Sequence, residues 1–353
     1  MDLEPRTLVI GTRGSRLALW QAEHVAALLC AASAGVEVRL ERIRTTGDRI
    51  ADVPLTQVGG KALFVKEIEE ALLAGRVDLA VHSLKDLPTD LPAGLLLAAV
   101  PLRDDPSDVL IARDGRELHA LPRGARVGTS SLRRQAQLLH HRPDLAVVNL
   151  RGDLDTRIRK LTSEGLDAIV VAAAGVRRLH LTHLVTEVLP PEILLPAIGQ
   201  GALGIEICEP RATSREPRAT SREPSGDGRG ETTSQEPRAI SHDSSVGRGA
   251  WSVAELVARL DHWETHAAVR AERALLRRLG GGCQVPIAAQ AVVEAGDVRL
   301  RGLVASLDGA TVVRGEARGD AAGPEAVGVA LAEDLLARGG RTILDALHPE
   351  RCS

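Results

Sequence analysis

The chain has 353 residues and a formal net charge of −3, with 44% hydrophobic and 26% charged residues. This length exceeds what one compact core holds, so we expect two or three domains. The slight negative charge argues against a protein that binds nucleic acid in bulk. Aromatic residues make up only 1% of the chain, and the cores must therefore consist of Leu, Val, Ile and Ala.

The cysteines are too dispersed for a zinc site of the usual spacing, because no two of them form a Cys-x-x-Cys pair. They are Cys30, Cys208, Cys283 and Cys352. We find no signal segment and no apolar run long enough to span a membrane. The sequence therefore predicts a cytoplasmic protein without a metal site.

Short apolar segments alternate with segments of helical spacing in the first half of the chain. The predicted strands cover residues 7–11, 36–44, 77–82, 126–128, 145–150 and 168–172. The predicted helices cover residues 15–30, with Ser15 as N-cap, and residues 61–74, 130–140 and 153–161. This alternation is typical of an α/β fold with mixed or parallel sheets.

Residues 209–249 differ from the rest of the chain. The unit Glu-Pro-Arg-Ala-Thr-Ser-Arg begins at Glu209 and again at Glu216, and degenerate copies begin at Glu223 and Glu236. Because the segment is rich in proline, serine and charge, it cannot bury a core. We predict that it is a disordered surface insertion.

The remainder predicts a compact third domain. Helices are expected at residues 251–260, 264–279 and 324–337, and strands at residues 285–292, 298–304 and 311–317. Cys283 stands at the entrance to this domain, after a run of three glycines. Since glycine adds no bulk, a thiol there suits covalent attachment of a ligand. The alternative is a buried free cysteine after a helix stop.

Residues 123–178 carry a strong basic excess. They contain ten Arg and one Lys against five acidic residues, 11 − 5 = +6, in a chain whose total is −3. Several of these arginines occur where strands meet helices, and helix N-termini favour anions. We therefore predict a site for a small polyanion. A solvated basic surface is the alternative, and a nucleic-acid groove would require interleaved aromatic residues.

Two further segments contain residues suited to catalysis or to anion binding. The apolar strand before residue 83 leads into a polar turn with Lys85 and Asp86, and ligands of α/β sheets bind beyond the carboxyl ends of strands. A carboxylate there can stabilise a developing cation, although an ordinary ion pair would look the same. Residues 11–16 form a strand-to-helix junction suited to anions. Neither they nor residues 59–62 match a nucleotide-binding loop.

Seven motifs, in this order, resemble those of the porphobilinogen deaminase family. They occupy residues 11–22, 59–67, 81–88, 127–134, 150–152, 195–202 and 281–286. The resemblance covers nearly the whole chain apart from the insertion.

The resemblance implies an α/β fold of three domains. Two lobes with mixed sheets would resemble periplasmic binding proteins, and a smaller α+β domain would follow. Domain 1 would comprise residues 1–102 and 200–262, with the insertion at about 209–249. Domain 2 would comprise residues 103–199, and the C-terminal cofactor-attachment domain residues 263–353. The chain would cross between the lobes near residues 102–107 and 195–200.

The resemblance also implies a transferase of tetrapyrrole and heme biosynthesis. Such an enzyme condenses four porphobilinogen molecules head to tail on a covalent dipyrromethane primer, releases ammonia, and hydrolyses the product to the linear tetrapyrrole hydroxymethylbilane. We expect a monomer with a small-molecule substrate and with no nucleic acid or membrane partner.

Residue roles follow from the matching motif positions. The catalytic residue would be Asp86. The residues that hold the cofactor, which Cys283 would anchor, would be Cys283, Lys85, Asp86, Ser131, Arg133 and Arg134. The residues that serve the substrate and the growing chain would be Arg13, Ser15, Arg151, Arg157 and Arg178.

The alternative function is a non-catalytic two-lobed binding protein for a small polyanion. Cys283 and the third domain favour the enzyme, because a binding protein needs neither. Asp153 and Asp155, beside Arg157, would weaken anion binding by repulsion unless they point outward as helix N-terminal residues.

Overall fold

The computed structural model describes residues 6–49, 63–210, 252–281 and 285–347. Cys283 and residues 211–251 of the insertion region lie outside the described residues. The strands are β1 (Arg6–Thr12), β2 (Val36–Arg42), β3 (Leu79–Ser83), β4 (Leu95–Ala99), β5 (Asp108–Ala112), β6 (Arg126–Gly128), β7 (Ala146–Val148), β8 (Ala168–Ala172), β9 (Glu187–Leu189), β10 (Leu203–Cys208), β11 (Ile287–Glu294), β12 (Asp297–Ala305) and β13 (Val312–Asp320). The helices are α1 (Arg16–Ala32), α2 (Thr46–Arg49), α3 (Lys66–Leu73), α4 (Leu132–His141), α5 (Leu154–Ser163), α6 (Ala173–Arg178), α7 (Val253–Ala258), α8 (Trp263–Arg278), α9 (Pro324–Leu335) and α10 (Arg341–Leu347).

The first lobe is built on a five-stranded sheet in the order β2–β1–β3–β10–β4. β1 is parallel to β2 and β3, whereas β10 is antiparallel to β3 and β4. Helices α1 and α7 contribute Leu29 and Leu256 to the core on one face. Helix α3 contributes Ile68 and Leu72 to the core on the other. Because both faces are covered, the central strands β3 and β10 are buried at nearly every position rather than at alternate ones.

The second lobe repeats this plan with the strand order β7–β6–β8–β5–β9. β6 is parallel to β7 and β8, and β5 is antiparallel to β8 and β9. Leu138 of α4 packs on one face of the sheet, and Leu161 of α5 and Val176 of α6 pack on the other. The chain therefore has two lobes that share one mixed-sheet plan, which agrees with the predicted α/β fold.

The C-terminal unit is a three-stranded antiparallel sheet, β11–β12–β13. Leu275 of α8 and Leu331 and Leu335 of α9 pack on it, against Leu300 and Val304 of β12. This agrees with the predicted α+β architecture. Among the described residues, no helix has the length and apolar character that crossing a membrane would require.

The chain passes from the first sheet to the second between β4 and β5, and it returns between β9 and β10. These two connections contain the predicted crossings, residues 102–107 and 195–200. The residue boundaries assigned to the three domains stay a prediction.

Most predicted elements overlap an observed one, and Ser15 caps α1 by accepting a hydrogen bond from Ala18 N, as predicted. The helix predicted at residues 61–74 begins only at Lys66, because residues 63–65 form turns. Seven observed helices and strands have no predicted counterpart, namely β4, β5, β9, β10, α2, α6 and α10. Strand β10 pairs with β3 and β4, although both of those strands come far earlier in the chain. Such long-range pairing leaves no local pattern.

Candidate active site

A cavity of about 820 Å³ lies between the two lobes. The first lobe contributes the β1–α1 junction, the end of β2 and the turn after β3. The second lobe contributes the N-terminal regions of α4 and α5 together with α6. The site therefore lies at the carboxyl ends of parallel strands in both lobes, where α/β folds bind ligands.

Most of the predicted site residues line this cavity. They are Arg13, Ser15, Lys85, Asp86, Arg134, Arg151, Arg157 and Arg178. Ser131 and Arg133 do not: Ser131 caps α4 by accepting from Arg134 N, and Arg133 is buried behind the wall. Cys283 lies outside the described residues, so its place relative to the cavity stays a prediction.

Lys85 and Asp86 occupy a single 3₁₀ turn, Leu84–Asp86, that directly follows β3. The returning crossing packs on this turn at Gly199, whose φ of +70° favours glycine and where a Cβ atom would lie 3.3 Å from Lys85 N. Gln200 Oε1 accepts a hydrogen bond from Lys85 Nζ at 3.4 Å. Burial lowers the pKa of Lys85 to about 8, although the neighbouring Asp86 carboxylate opposes the shift.

Arg133 and Arg134 share one buried carboxylate, that of Asp108 at the start of β5. Arg133 Nη1 donates to Asp108 Oδ2 at 2.7 Å, and Arg134 Nε and Nη2 donate to Asp108 Oδ1 at 3.0 and 2.7 Å. Burial opposes ionisation of Asp108, yet the two guanidinium groups hold its pKa well below its usual range. Arg133 Nη1 also donates to Leu195 O. Arg133 is therefore held by protein groups through Nη1, while its Nε is buried without a hydrogen bond among the described residues. Arg134 binds the same carboxylate and also lines the cavity.

Arg13 is held by two residues that the sequence analysis did not single out. Asp48 accepts hydrogen bonds from its guanidinium, and Phe64 places its ring centroid 4.4 Å from Arg13 Cζ. Burial raises the pKa of Asp48, but the contact with Arg13 outweighs it and the pKa is lowered. The Arg13 side chain is thus fixed before any ligand binds.

The second lobe presents Arg151, Arg157 and Arg178. Arg157 Nε donates to Gly152 O at 2.8 Å, and Arg178 Nη2 donates to Gly201 O at 2.7 Å. Burial, followed by repulsion from Arg134, lowers the pKa of Arg157 to about 10.

Two buried donors in this group form no hydrogen bond within the described part of the chain, Arg151 Nη1 and Arg178 Nε. Arg178 Nε lies 3.6 Å from Asp104 Oδ2, so its charge has an ion-pair partner. A buried charged donor without a partner is costly, and Arg151 Nη1 is such a donor. Both residues line the cavity, and they fit a ligand with carboxylates such as dipyrromethane.

Asp153 and Asp155 each accept a hydrogen bond from a protein donor, and Asp153 also lines the cavity beside Arg157. Asp153 caps α5, its carboxylate accepting from Thr156 N at 2.8 Å. Asp155 accepts from Arg16 Nη1 of the first lobe at 2.7 Å. Both carboxylates are engaged, and the second links the lobes.

Several functional positions escaped sequence reasoning. The cavity wall also contains Arg42, Arg44, Asp48 and Phe64. The first two follow the end of β2, so the strand-end rule applied to Lys85 and Asp86 would also have found them. Asp108 lacked any local signal, because its role depends on partners 25 and 26 residues away. Among the described residues, no group of three or more His, Cys, Asp or Glu residues could hold a metal ion.

Two family models match the chain. Residues 8–216 match the dipyrromethane cofactor binding domain of porphobilinogen deaminase, and residues 266–337 match its C-terminal domain. Solved structures with low similarity include a BvgS VFT2 domain from Bordetella pertussis (13% identity, TM-score 0.34, covering 57% of this chain and 80% of that chain). Another is a TRAP periplasmic solute binding protein from Desulfovibrio salexigens (11% identity, TM-score 0.35, covering 58% and 66%).

Curated relatives match over almost their entire length. A porphobilinogen deaminase from Pelobacter propionicus is 50% identical over 98% of this chain and 99% of its own length. One from Syntrophotalea carbinolica is 51% identical over 96% of each. With the two family models and the arginine-lined interlobe cavity, these similarities show that the chain belongs to the porphobilinogen deaminase family.

Proposed function

We propose that this chain is a transferase that condenses porphobilinogen units in the interlobe cavity, with Asp86 as its catalytic residue. One observation carries the assignment of the site: the Asp86 carboxylate lines the same cavity as Arg178 and as Arg151, whose buried Nη1 donor has no hydrogen bond among the described residues. The arginines bind the acetate and propionate arms of a pyrrole, and Asp86 faces the ring.

Asp86 stabilises positive charge on the substrate. When the C–N bond of the aminomethyl group breaks, ammonia leaves and the pyrrole retains a delocalised cation. A fixed carboxylate near the ring N–H lowers the energy of that cation, because the interaction strengthens as charge develops. The short 3₁₀ turn and its packing against Gly199 hold the carboxylate in place.

Dipyrromethane, anchored by a thioether to Cys283, would supply the free pyrrole carbon to which the first substrate unit is joined, and each later unit would be joined at the free end of the last ring added. Lys85 and Arg134 are the cavity cations that would hold its carboxylates, with Asp86 at its ring nitrogens. Ser131 and Arg133 support this group from behind: Ser131 caps α4, and Arg133 shares Asp108 with Arg134.

Arg13, Arg151, Arg157 and Arg178 bind the carboxylates of the incoming substrate and of the growing chain, and Ser15 lies among them at the start of α1. Arginine suits this role because its planar fork matches a carboxylate and it keeps its charge when buried. We further propose that the protein works as a cytoplasmic monomer.

The first test is the intact mass of the purified protein with peptide mapping. We expect an excess equal to two deaminated porphobilinogen units on the peptide that contains Cys283. The Cys283→Ser variant should carry no bound pyrrole. A pyrrole stably attached to that variant would place the anchor elsewhere. An unmodified Cys283 after incubation with porphobilinogen would favour a non-catalytic polyanion-binding protein.

The second test separates chemistry from folding. Asp86→Asn should keep the cofactor-bound fold and lose most turnover, because the amide cannot stabilise the substrate cation. The control is Asp90→Asn, four residues further on, whose exposed carboxylate pairs with Arg277 at 2.9 Å. Near-normal turnover in Asp86→Asn would refute the role of Asp86.

A further inference from the structure

Two arginines of the cavity wall have no assigned role. Arg42 ends β2, where it pairs in register with Thr12, the residue before Arg13, and Arg44 follows two residues later. Both line the cavity and both side chains are exposed. Neither side chain forms an ion pair or hydrogen bond with another described residue. They are thus cations at the solvent side of the site without a protein partner in the described chain.

The inner cations are too few for the ligand at its greatest length. If the proposed function is correct, two primer rings and four added units give six rings with twelve carboxylates. Six cations form the inner part of the cavity: Arg13, Lys85, Arg134, Arg151, Arg157 and Arg178. Three of them already pair with protein carboxylates, namely Arg13 with Asp48, Arg134 with Asp108 and Arg178 with Asp104. The late rings therefore need further cations or must leave their carboxylates in solvent.

We propose that Arg42 and Arg44 form an outer carboxylate-binding subsite that serves the later rings of the elongating chain. This inference rests on the proposed function. The primer and first additions use the buried inner cations, and the carboxylates that these cannot neutralise meet Arg42 and Arg44 at the end of β2. Because both side chains are exposed, each contact is weak and screened by salt. Weak contacts suit a segment that must finally be released.

The proposal is tested by mass spectrometry of the holoenzyme during turnover, which resolves the covalent species with one to four added units. In Arg42→Gln/Arg44→Gln, the early species should form at rates near those of the unsubstituted protein. Species awaiting the third or fourth addition should accumulate about fivefold, as expected for the loss of two exposed ion pairs. Arg39→Gln/Arg123→Gln is the matched control, because both residues are exposed, lie outside the cavity wall, and give the same change in charge.

Salt supplies a second readout that a structural defect would not reproduce. Raising the ionic strength should make the unsubstituted protein accumulate the same late species, whereas Arg42→Gln/Arg44→Gln should respond less. A distribution of species identical to that of the control variant would overturn the proposal. A general slowing of every addition would also overturn it. If the unsubstituted protein shows no covalent series at all, the proposed function itself fails and this subsite fails with it.

Discussion

The two lobes share one sheet plan, yet they bury opposite kinds of charge beneath the cavity. In the second lobe, Asp108 is neutralised by Arg133 and Arg134. In the first lobe, His82 Nε2 lies 3.1 Å from Glu206 Oε2, and Glu69 is buried nearby.

The first-lobe cluster is not balanced. One carboxylate oxygen each of Glu69 and Glu206 is buried without a hydrogen bond among the described residues. Burial, and then the charge of Glu206, raise the pKa of Glu69 to about 7. The buried Asp108 of the second lobe therefore stays ionised at any ordinary pH, because two guanidinium groups surround it. Glu69 of the first lobe instead holds a proton that it loses near neutral pH.

The largest effect is expected from removing the balancing charge in the second lobe. Asp108→Asn leaves two buried guanidinium groups uncompensated and should destabilise the protein by ~3–5 kcal/mol. Urea unfolding measures this. Glu164→Gln, in the exposed pair with Lys160 at 3.2 Å, is the control and should cost at most ~0.5 kcal/mol. Equal shifts of the two midpoints would show that Asp108 does not act as the internal counter-ion.

The next largest effect concerns Arg151, a cation that we expect to bind ligand rather than a protein carboxylate. Arg151→Gln removes a buried donor without a described partner. It should lower kcat/KM by about 10- to 100-fold, because a charge-assisted hydrogen bond is worth ~1.5–3 kcal/mol. The unfolding midpoint should stay the same or rise. Arg159→Gln, exposed on α5 and outside the cavity wall, is the control. A large loss of stability in Arg151→Gln would contradict this division of roles.

The third effect concerns Lys85, which belongs to the first lobe but lies close to the charges of Arg133 and Arg134 in the second lobe. With a pKa of about 8, its charge is present below pH 8 and lost above it. Assembly of the primer on cofactor-free protein should slow about fivefold between pH 8 and pH 9, as the charged fraction of Lys85 falls. Lys85→Arg should extend the plateau, because a guanidinium stays charged. Parallel pH profiles for the two proteins would mean that another group titrates.

The smallest effect concerns the first-lobe cluster. Glu69 has a folded pKa of about 7 against 4.5 for the free side chain. The unfolded chain therefore releases this proton first, and stability falls as the pH rises from about 4.5 to about 7. Glu69→Gln removes that penalty. It should stabilise the protein at pH 8 by about 1 kcal/mol after solvent screening, and have little effect at pH 4.5.

Urea unfolding at the two pH values measures the difference. The control is Glu70→Gln, at the exposed neighbouring position on α3. It should change the free energy of unfolding by the same amount at both pH values. An equal change at pH 4.5 and pH 8 in Glu69→Gln would argue that packing, rather than titration, sets its effect.

Much of the architecture was accessible from local patterns. The strand–helix alternation predicted an α/β fold with mixed or parallel sheets, and the family resemblance implied its two lobes. The polar turn after β3 predicted Lys85 and Asp86 as site residues. Strands β5 and β10 were not accessible, because their antiparallel pairing with β8 and β3 is decided by distant segments. The motif positions led to most of the cavity residues, but they did not separate Arg133 from Arg134.

The amino-acid sequence by itself determined the family, the α/β class and the cationic character of the site, because motifs, periodicity and charge are local properties of the chain. Only the tertiary structure decided which cations remain free for a ligand. That depends on which distant carboxylates lie beside them: the buried Asp108 beside Arg133 and Arg134, and the half-buried Asp48 beside Arg13. Burial makes the pairing at Asp108 the stronger of the two, since a charge removed from water must find a partner within the protein.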